Sequence, residues 1–325
     1  MKDISRKLYG RIYNRYSFCS YLEVKYLNLR KRLSKIKNYK ESKKLSKLKN
    51  EIIEYYKETD DIEIKEILNY LKEDKNEMTV FNYSDMQESI NNIEINVKYD
   101  ESKELFYIFH QGKKMYFSRK FKLGERVKEY YKSLLLEQHI DSPHRYITEN
   151  FKLDGVKCLV DAGGAEGIFS LENLDRAEKI YIFECDEEWI EALEATFKEY
   201  KEKIKIIKKF VSDKNNENEI TLDEFQKNIK EKIDFIKMDI EGAEVLALKG
   251  FKNILEKNNN LRIIACVYHK SNDEKDIREI LKGFKVEVTD RYMLFLWDKD
   301  LSTPYFRRGI LRAIKLEKEC SYCAF

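Results

Sequence analysis

The sequence predicts an α/β fold in the second half of the chain, with a mostly parallel sheet, and a charged, mostly helical extension in front of it. From Val156 onward, short apolar runs alternate with stretches of helical periodicity, which is the pattern of a parallel sheet covered by helices on both faces. After the last helical stretch, the runs Phe284–Val288 and Tyr292–Trp297 are joined by a turn of three residues. Two strands with so short a link must pair antiparallel.

The five apolar runs are predicted to be strands, and a helical stretch follows each of them. The predicted strands are Cys158–Val160, Ile180–Phe183, Ile204–Val211, Phe235–Met238 and Ile263–Val267. The predicted helices cover residues 167–177, 188–199, 222–230, 242–256 and 273–282. In such a sheet the ligands bind at the carboxyl ends of the strands.

The residues before this region have a different pattern. Leu105–Phe109 and Lys114–Phe117 flank a Gln-Gly turn and predict a β-hairpin, and a helix follows at residues 125–138. Further upstream, apolar residues at alternating steps of three and four from Cys19 to Ile36 predict a helical seam of the heptad type. We therefore divide the chain into a helical extension (1–95), a hairpin and helix lead-in (96–150), an α/β domain (151–300) and a C-terminal tail (301–325).

Charge is unevenly distributed along the chain, although the total is only +3. Residues 1–50 hold sixteen Lys or Arg against three Asp or Glu, whereas residues 51–104 hold six against sixteen. Opposite blocks of this kind indicate either mutual packing or an anionic partner, and we favour packing. The near-neutral total argues against nucleic acid as a partner. The Leu22–Ile36 part of the seam fits either a bundle within the chain or a homodimer.

The sequence contains no run of about twenty apolar residues and no signal-peptide pattern at its start. We therefore expect a cytoplasmic protein without a transmembrane segment. The six cysteines are scattered, and Cys320 and Cys323 form a lone C-x-x-C pair, so we expect reduced thiols and no zinc.

The first predicted strand ends in a glycine-containing turn, Asp161-Ala-Gly163-Gly-Ala-Glu-Gly167, and a helix begins there. Glycines at such a turn let the backbone approach a ligand. As a dinucleotide fingerprint the turn lacks its first glycine, because Ala162 stands there. The second strand closes with Glu184, whose carboxylate suits the two hydroxyls of a ribose. A helix cap is the alternative, and the spacing and context favour the ribose role.

The most specific run follows the fourth strand, where Lys237, Asp239, Glu241 and Glu244 crowd its carboxyl end. Such clustering suits proton abstraction or the binding of a cation. The fifth strand ends at Tyr268 and His269, which neighbouring strands would bring close to this cluster.

Taken together, Asp161-Ala-Gly-Gly-Ala-Glu-Gly167, Phe183-Glu-Cys-Asp186, Thr221-Leu-Asp223, Ile236-Lys-Met-Asp-Ile-Glu-Gly-Ala-Glu244 and Tyr268-His-Lys270 resemble the FkbM-type methyltransferases. The resemblance covers residues 150–300 in order and spacing. It implies the Rossmann-like sheet of class I methyltransferases, with S-adenosylmethionine as cofactor and a hydroxyl of a sugar, glycan or natural product as acceptor. The chain departs from the usual family motif at Gly164-Ala-Glu166.

The resemblance also implies roles for individual residues. Asp161, Gly163 and Gly167 would line the methionine side of the cofactor, Glu184 would hold its ribose, and Asp213 would lie near its adenine. Candidate catalytic residues are Asp239, Glu241 and His269. We expect His269 to be the base, since its pKa lies nearest neutrality. Lys237 and Tyr268 are candidate substrate contacts, and a divalent metal between Asp239 and Glu241 is the alternative means of activating the acceptor.

Three other functions remain open at this point. The enzyme could methylate an amino group, or it could be an NAD-dependent oxidoreductase that modifies sugars, which the missing glycine and the antiparallel strand pair argue against. A non-catalytic scaffold is the third, and the complete set of motifs argues against it.

Overall fold

The computed structural model describes residues 37–73, 76–91 and 93–315. The predicted seam from Cys19 to Ile36 and the Cys320–Cys323 pair lie outside the described residues, so the homodimer stays a prediction. None of the described helices is both long and apolar enough to span a bilayer.

The chain divides into two compact units, and the division differs from the predicted one. The described residues up to Ile95 form one unit with Glu125–Arg145 and Thr289–Gly309. The other unit contains Asn96–Gly124, Tyr146–Val288 and the described residues from Ile310 to Lys315.

The helices and strands follow the predicted alternation. The helices are α1 (Lys37–Tyr55), α2 (Ile62–Lys72), α3 (Ser84–Asn91), α4 (Gly124–Glu137), α5 (Ile168–Glu172), α6 (Glu187–Thr196), α7 (Leu222–Ile229), α8 (Glu244–Lys249), α9 (Lys252–Lys257) and α10 (Asp273–Ile280). The strands are β1 (Lys98–Asp100), β2 (Leu105–His110), β3 (Lys113–Tyr116), β4 (Val156–Ala162), β5 (Ala177–Phe183), β6 (Ile204–Ile207), β7 (Phe210–Val211), β8 (Glu219–Ile220), β9 (Phe235–Met238), β10 (Arg262–Cys266), β11 (Phe284–Val288), β12 (Tyr292–Met293), β13 (Arg307–Arg308) and β14 (Ile310–Lys315).

A seven-stranded sheet in the order β11-β14-β10-β9-β4-β5-β6 is the frame of the second unit. Strands β10, β9, β4, β5 and β6 pair parallel, and β14 runs antiparallel to both of its neighbours. The predicted α/β class, with a mostly parallel sheet that ends in an antiparallel pair, is confirmed. The predicted hairpin is also confirmed as β2 and β3, and β1 extends it to three strands.

The antiparallel partner of β11 was predicted wrongly. It is β14, which belongs to the segment that we assigned to a C-terminal tail, whereas Tyr292–Met293 pairs with Arg307–Arg308 in a separate two-stranded sheet. The prediction assumed that strands adjacent in sequence pair with each other. Strand β14 lies between β11 and β10, and its apolar side chains Leu311 and Ala313 therefore join the main core.

The centre of the sheet is almost fully buried. All four side chains of β9 are buried, and β4 is buried from Cys158 to its end. Most of these side chains are apolar, as expected of a central parallel strand. Asp161 and Lys237 are the charged exceptions on these two neighbouring strands, and they lead to the candidate site.

Arg291 ties the parts of the first unit together. Its guanidinium lies 2.9 Å from Asp85, 3.4 Å from Glu66 and 3.7 Å from Glu63, and it stacks 4.3 Å above the centre of the Tyr83 ring. Since these partners come from α2, α3 and the turn before α3, one cation joins the segment after β11 to both helices.

We expect Arg291→Ala to lower the free energy of unfolding by about 1–3 kcal/mol, because three carboxylates would lose their shared counter-ion. Urea titration of full-length protein measures this loss. Arg278→Ala is the matched control, since Arg278 forms an exposed pair with Glu274 and should change stability by less than about 0.5 kcal/mol. Equal effects of the two substitutions would contradict the role of Arg291.

Candidate functional site

A buried ion pair lies where β4 and β9 end. Lys237 Nζ is 3.0 Å from Asp161 Oδ1, and both side chains are at most 4% exposed. Asp161 Oδ2 accepts a hydrogen bond from the Ser170 hydroxyl at 2.7 Å. Lys237 donates to the carbonyl of Gly163 at 2.8 Å. The ammonium therefore binds the strand end and the start of the glycine turn together.

The other contacts of Lys237 are also with the protein itself, and its predicted contact with a substrate stays a prediction. The Lys237 ammonium also lies 5.2 Å from the centre of the Tyr146 ring and 6.0 Å from that of Phe169, so aromatic faces and the pair with Asp161 surround it. The side chain is buried and engaged within the protein. We conclude that it positions Asp161 and the glycine turn.

The glycine turn has positive φ angles, which residues with a Cβ rarely adopt. Gly163 and Gly167 have φ of 81° and 83°, and Ala165 between them has φ of 45°. A Cβ on Gly167 would lie 2.7 Å from a methyl group of Leu193, so glycine is needed there for space as well as for conformation. The backbone amides of Gly163 and Gly164 both donate to the carbonyl of Phe183 at the end of β5.

Glu184 stabilises the same turn from β5. Its Oε2 accepts from the amide of Ala165 at 2.8 Å, and its Oε1 accepts from the amides of Cys185 and Asp186 at 2.8 and 2.9 Å. A carboxylate offers about four acceptor positions. Three are used by these amides, and Oε1 also accepts a weak bond from the Cys185 thiol at 3.9 Å, so the remaining position lies on Oε2. The predicted contact with the ribose stays a prediction.

Asp213 is separate from these buried groups. It is exposed, it follows β7, and its carboxylate accepts a long hydrogen bond of 3.4 Å from the Ser212 hydroxyl. The structure thus places the predicted adenine contact at the surface of the second unit.

Asp239, Glu241 and His269 converge at the ends of β9 and β10, as the sequence predicted. His269 Nε2 lies 3.6 Å from Asp239 Oδ1 and 3.8 Å from Glu241 Oε2. Their ligand-type atoms all lie within 4.8 Å of one another, which is the arrangement a divalent metal would need. The metal stays a prediction. Glu241 has a φ of 56°, in the left-handed region that residues other than glycine adopt infrequently.

Two residues that sequence analysis did not select complete this end of the site. The Tyr146 hydroxyl donates to Asp239 Oδ2 at 2.8 Å, although Tyr146 precedes Asp239 by 93 residues. Asp273, at the start of α10, is buried beside Glu244 and His269. No local pattern identifies Tyr146, because its importance depends on a contact that only the fold creates.

The other ring nitrogen of His269 faces Glu244. Its Nδ1 lies 3.1 Å from Glu244 Oε1, and the side chain of Glu244 is completely buried. The ring of Tyr268, the second predicted substrate contact, packs 4.2 Å from the imidazole and is itself 5% exposed. Tyr268 therefore lines the imidazole rather than an open surface.

The charges around His269 raise its pKa. Burial alone would lower the pKa, but Glu244, Glu241 and Asp239 outweigh burial and raise it to about 9. A raised pKa favours the protonated imidazole, which cannot accept a proton, so Asp239 and Glu241 compete with His269 as candidates for the general base. The assignment of His269 as the base stays a prediction.

Comparison with known proteins agrees with the resemblance predicted from the motifs. Residues 175–292 match the family model of the methyltransferase FkbM domain. The matched residues include the cluster at the ends of β9 and β10. The matched region starts after the glycine turn. No curated protein matches the chain.

Solved structures with a similar arrangement include three methyltransferases. A methyltransferase FkbM from Methylobacillus flagellatus KT is 19% identical over 57% of this chain and 54% of its own, with a TM-score of 0.41. An rRNA methylase from Streptococcus thermophilus is 14% identical over 50% and 89%, with a TM-score of 0.35. The N-methyltransferase NodS from Bradyrhizobium japonicum WM9 is 9% identical over 50% and 88%, with a TM-score of 0.33. The chain thus spans about half of the first structure, and the family match alone indicates a methyltransferase domain.

We expect Lys237→Met to lower the free energy of unfolding by about 3–5 kcal/mol, because Asp161 would be left buried without its counter-ion. Urea titration measures the loss. The double variant Asp161→Asn with Lys237→Met removes both charges and should recover part of it. If the double variant is no more stable than Lys237→Met, the two charges do not act as a pair.

The raised pKa of His269 makes stability depend on pH. The folded-state pKa of about 9 exceeds the model-peptide value of 6.5, so the stabilisation is fully present below pH 6.5 and is lost as pH rises through 9. We expect the free energy of unfolding of the wild type to fall more steeply between these pH values than that of His269→Gln. Urea titrations across the range measure both slopes, and identical slopes would show that His269 is not charged in the folded protein.

Proposed function

We propose that this protein transfers the methyl group of S-adenosylmethionine to a hydroxyl of a sugar, glycan or natural product. The observation that carries the proposal is the buried arrangement at the carboxyl edge of the sheet. There, the glycine turn that Glu184 stabilises and the cluster of carboxylates follow the ends of neighbouring strands. The match of residues 175–292 to the FkbM methyltransferase domain supports the reaction class. The choice of acceptor rests on the family resemblance.

The glycine turn and Glu184 fit the nucleoside part of this cofactor. Glu184 Oε2 accepts only the amide of Ala165 and can take one more hydrogen bond, such as that of a ribose hydroxyl. The positive φ at Gly163 and Gly167 brings the backbone close to the strand ends, where a ligand would lie. When bound, the sulfonium supplies an electrophilic methyl group.

The carboxylates of the cluster are the groups that can accept the acceptor's proton. A hydroxyl needs such a group because its own pKa lies far above neutrality. Because the neighbouring carboxylates raise the pKa of His269 to about 9, we propose Asp239 and Glu241 as the bases. The Glu241 side chain is 22% exposed, against 11% for Asp239 and 3% for His269, so Glu241 is the best placed to touch an acceptor.

An amino acceptor remains an alternative, because carboxylates would also hold an ammonium group and accept its proton. A divalent metal between Asp239 and Glu241 would use the same carboxylates as ligands instead of as bases. The oxidoreductase alternative is disfavoured by Ala162, which stands where a dinucleotide turn needs its first glycine.

We expect S-adenosylhomocysteine to bind the full-length protein in isothermal calorimetry, and NAD and NADP not to bind. Glu184→Ala should weaken this binding by about 1–3 kcal/mol through the loss of a charge-assisted bond to the ribose. Glu178→Ala, an exposed glutamate on the same strand β5, is the matched control and should bind as the wild type does.

Circular dichroism of each variant without ligand verifies that Glu184→Ala still folds. Unchanged affinity in Glu184→Ala would contradict the ribose contact. Binding of NAD in place of S-adenosylhomocysteine would overturn the proposed function itself.

A further inference from the structure

A second buried group of metal-ligand type lies on the other side of the His269 ring. Glu244 begins α8, His269 follows β10 and Asp273 begins α10, so three separate elements supply the group. The exposed fractions of the three residues are 0%, 6% and 2%, and one ligand-type atom of each lies within 4.8 Å of those of the other two. One imidazole with two carboxylates is a donor set that divalent transition metals accept.

The two carboxylates of this group are each held by a backbone amide. Glu244 Oε1 accepts from the amide of Ile240 at 3.0 Å, and Asp273 Oδ2 accepts from the amide of Lys270 at 2.7 Å. Carboxylates that ligate a metal are commonly oriented by such hydrogen bonds. The other oxygen of Glu244, Oε2, is buried and has no hydrogen-bond partner among the described residues. A buried carboxylate oxygen without a donor is costly, and a cation bound to it would remove that cost.

The orientation of the imidazole fits the same interpretation. Nδ1 of His269 lies 3.1 Å from Glu244 Oε1. Two ligands that are each about 2.0–2.1 Å from one ion lie about 3.3 Å apart at the tetrahedral angle, so this separation suits neighbouring ligands. Nε2 lies 3.6 Å from Asp239 and 3.8 Å from Glu241. A carboxylate beside the second ring nitrogen is the usual environment of a metal-bound histidine, because it fixes the tautomer.

The four carboxylates around His269 outnumber the lysines close to them. Lys237 is paired with Asp161, and Lys270 donates its ammonium to the carbonyl of Gly242. Buried charges are retained in proteins where they are paired or coordinate a metal. A divalent cation at Nδ1 would bring the whole group closer to neutrality.

We propose that Glu244, Asp273 and Nδ1 of His269 bind one divalent transition metal ion, and that Zn²⁺ is the ion this donor set fits best. The ion joins the starts of α8 and α10 to the loop after β10. It lies at Nδ1, whereas the metal considered above, between Asp239 and Glu241, would lie at Nε2. The proposal does not depend on the proposed methyltransferase function. Because an ion on Nδ1 displaces any proton there, the pH dependence expected above applies to the ion-free protein.

Calorimetric titration of ZnCl₂ into full-length protein, stripped with EDTA and then dialysed, tests the proposal. The wild type should bind one ion per chain at this site. Glu244→Gln and Asp273→Asn should each weaken the binding by more than about a hundredfold, because each removes a charged ligand. Asp276→Asn is the matched control, since Asp276 is an exposed aspartate on the same helix α10 and should bind as the wild type does.

Thiols are another source of zinc binding in this chain, because Cys320 and Cys323 form a C-x-x-C pair. The double variant Cys320→Ser with Cys323→Ser should therefore still bind one ion with the affinity of the proposed site. If this variant binds no zinc, or if Glu244→Gln and Asp273→Asn both bind it as the wild type does, the proposal is overturned.

Nuclear magnetic resonance of wild-type protein with nitrogen-15-labelled histidine separates the two sides of the ring, even if a variant fails to fold. Addition of ZnCl₂ should shift the Nδ1 resonance of one of the four histidines of the chain far more than its Nε2 resonance. A dominant shift at Nε2 would place the ion between Asp239 and Glu241 and overturn the proposal, as would no shift at all. Failure of the wild type to bind S-adenosylhomocysteine would count against the proposed function and not against this metal site.

Discussion

The ion pair between Asp161 and Lys237 is the interaction on which the candidate site depends. Two charges at the centre of a sheet are costly to bury, and each is tolerated because the other lies 3.0 Å away. The same ammonium also binds the Gly163 carbonyl and lies against the Tyr146 ring. Because Tyr146 donates to Asp239, a single buried cation is linked to both the glycine turn and the acidic cluster.

The acidic cluster shows why a residue type does not define a chemical role. A histidine at the end of a parallel strand is an obvious base when the sequence is considered alone. In the fold, three carboxylates surround it and raise its pKa, which favours Asp239 and Glu241 over His269 as proton acceptors in the function that we propose. Among these two, the greater exposure of Glu241 favours it for contact with an acceptor.

Much of the fold could be predicted because parallel strands and their helices are local patterns. The limits of β9 were predicted to the residue, and those of β4, β5 and β10 to within a few residues. The partner of β11 could not be predicted in this way. Strand β14 lies more than twenty residues further along the chain and joins the core only through pairing with β10. Pairing of distant segments leaves little trace in a single sequence.

The sequence by itself determined the alternation of strands and helices, the family resemblance, and the collection of charged side chains at the carboxyl ends of β4, β5, β9 and β10. Spacing along a strand decides these features, and spacing can be seen in the chain. Only the tertiary structure decided that Lys237 faces Asp161, that Tyr146 reaches Asp239, and that Glu244 lies beside His269. These are pairings across the sheet and between its loops, and burial sets their charges because it removes the water that would otherwise screen them.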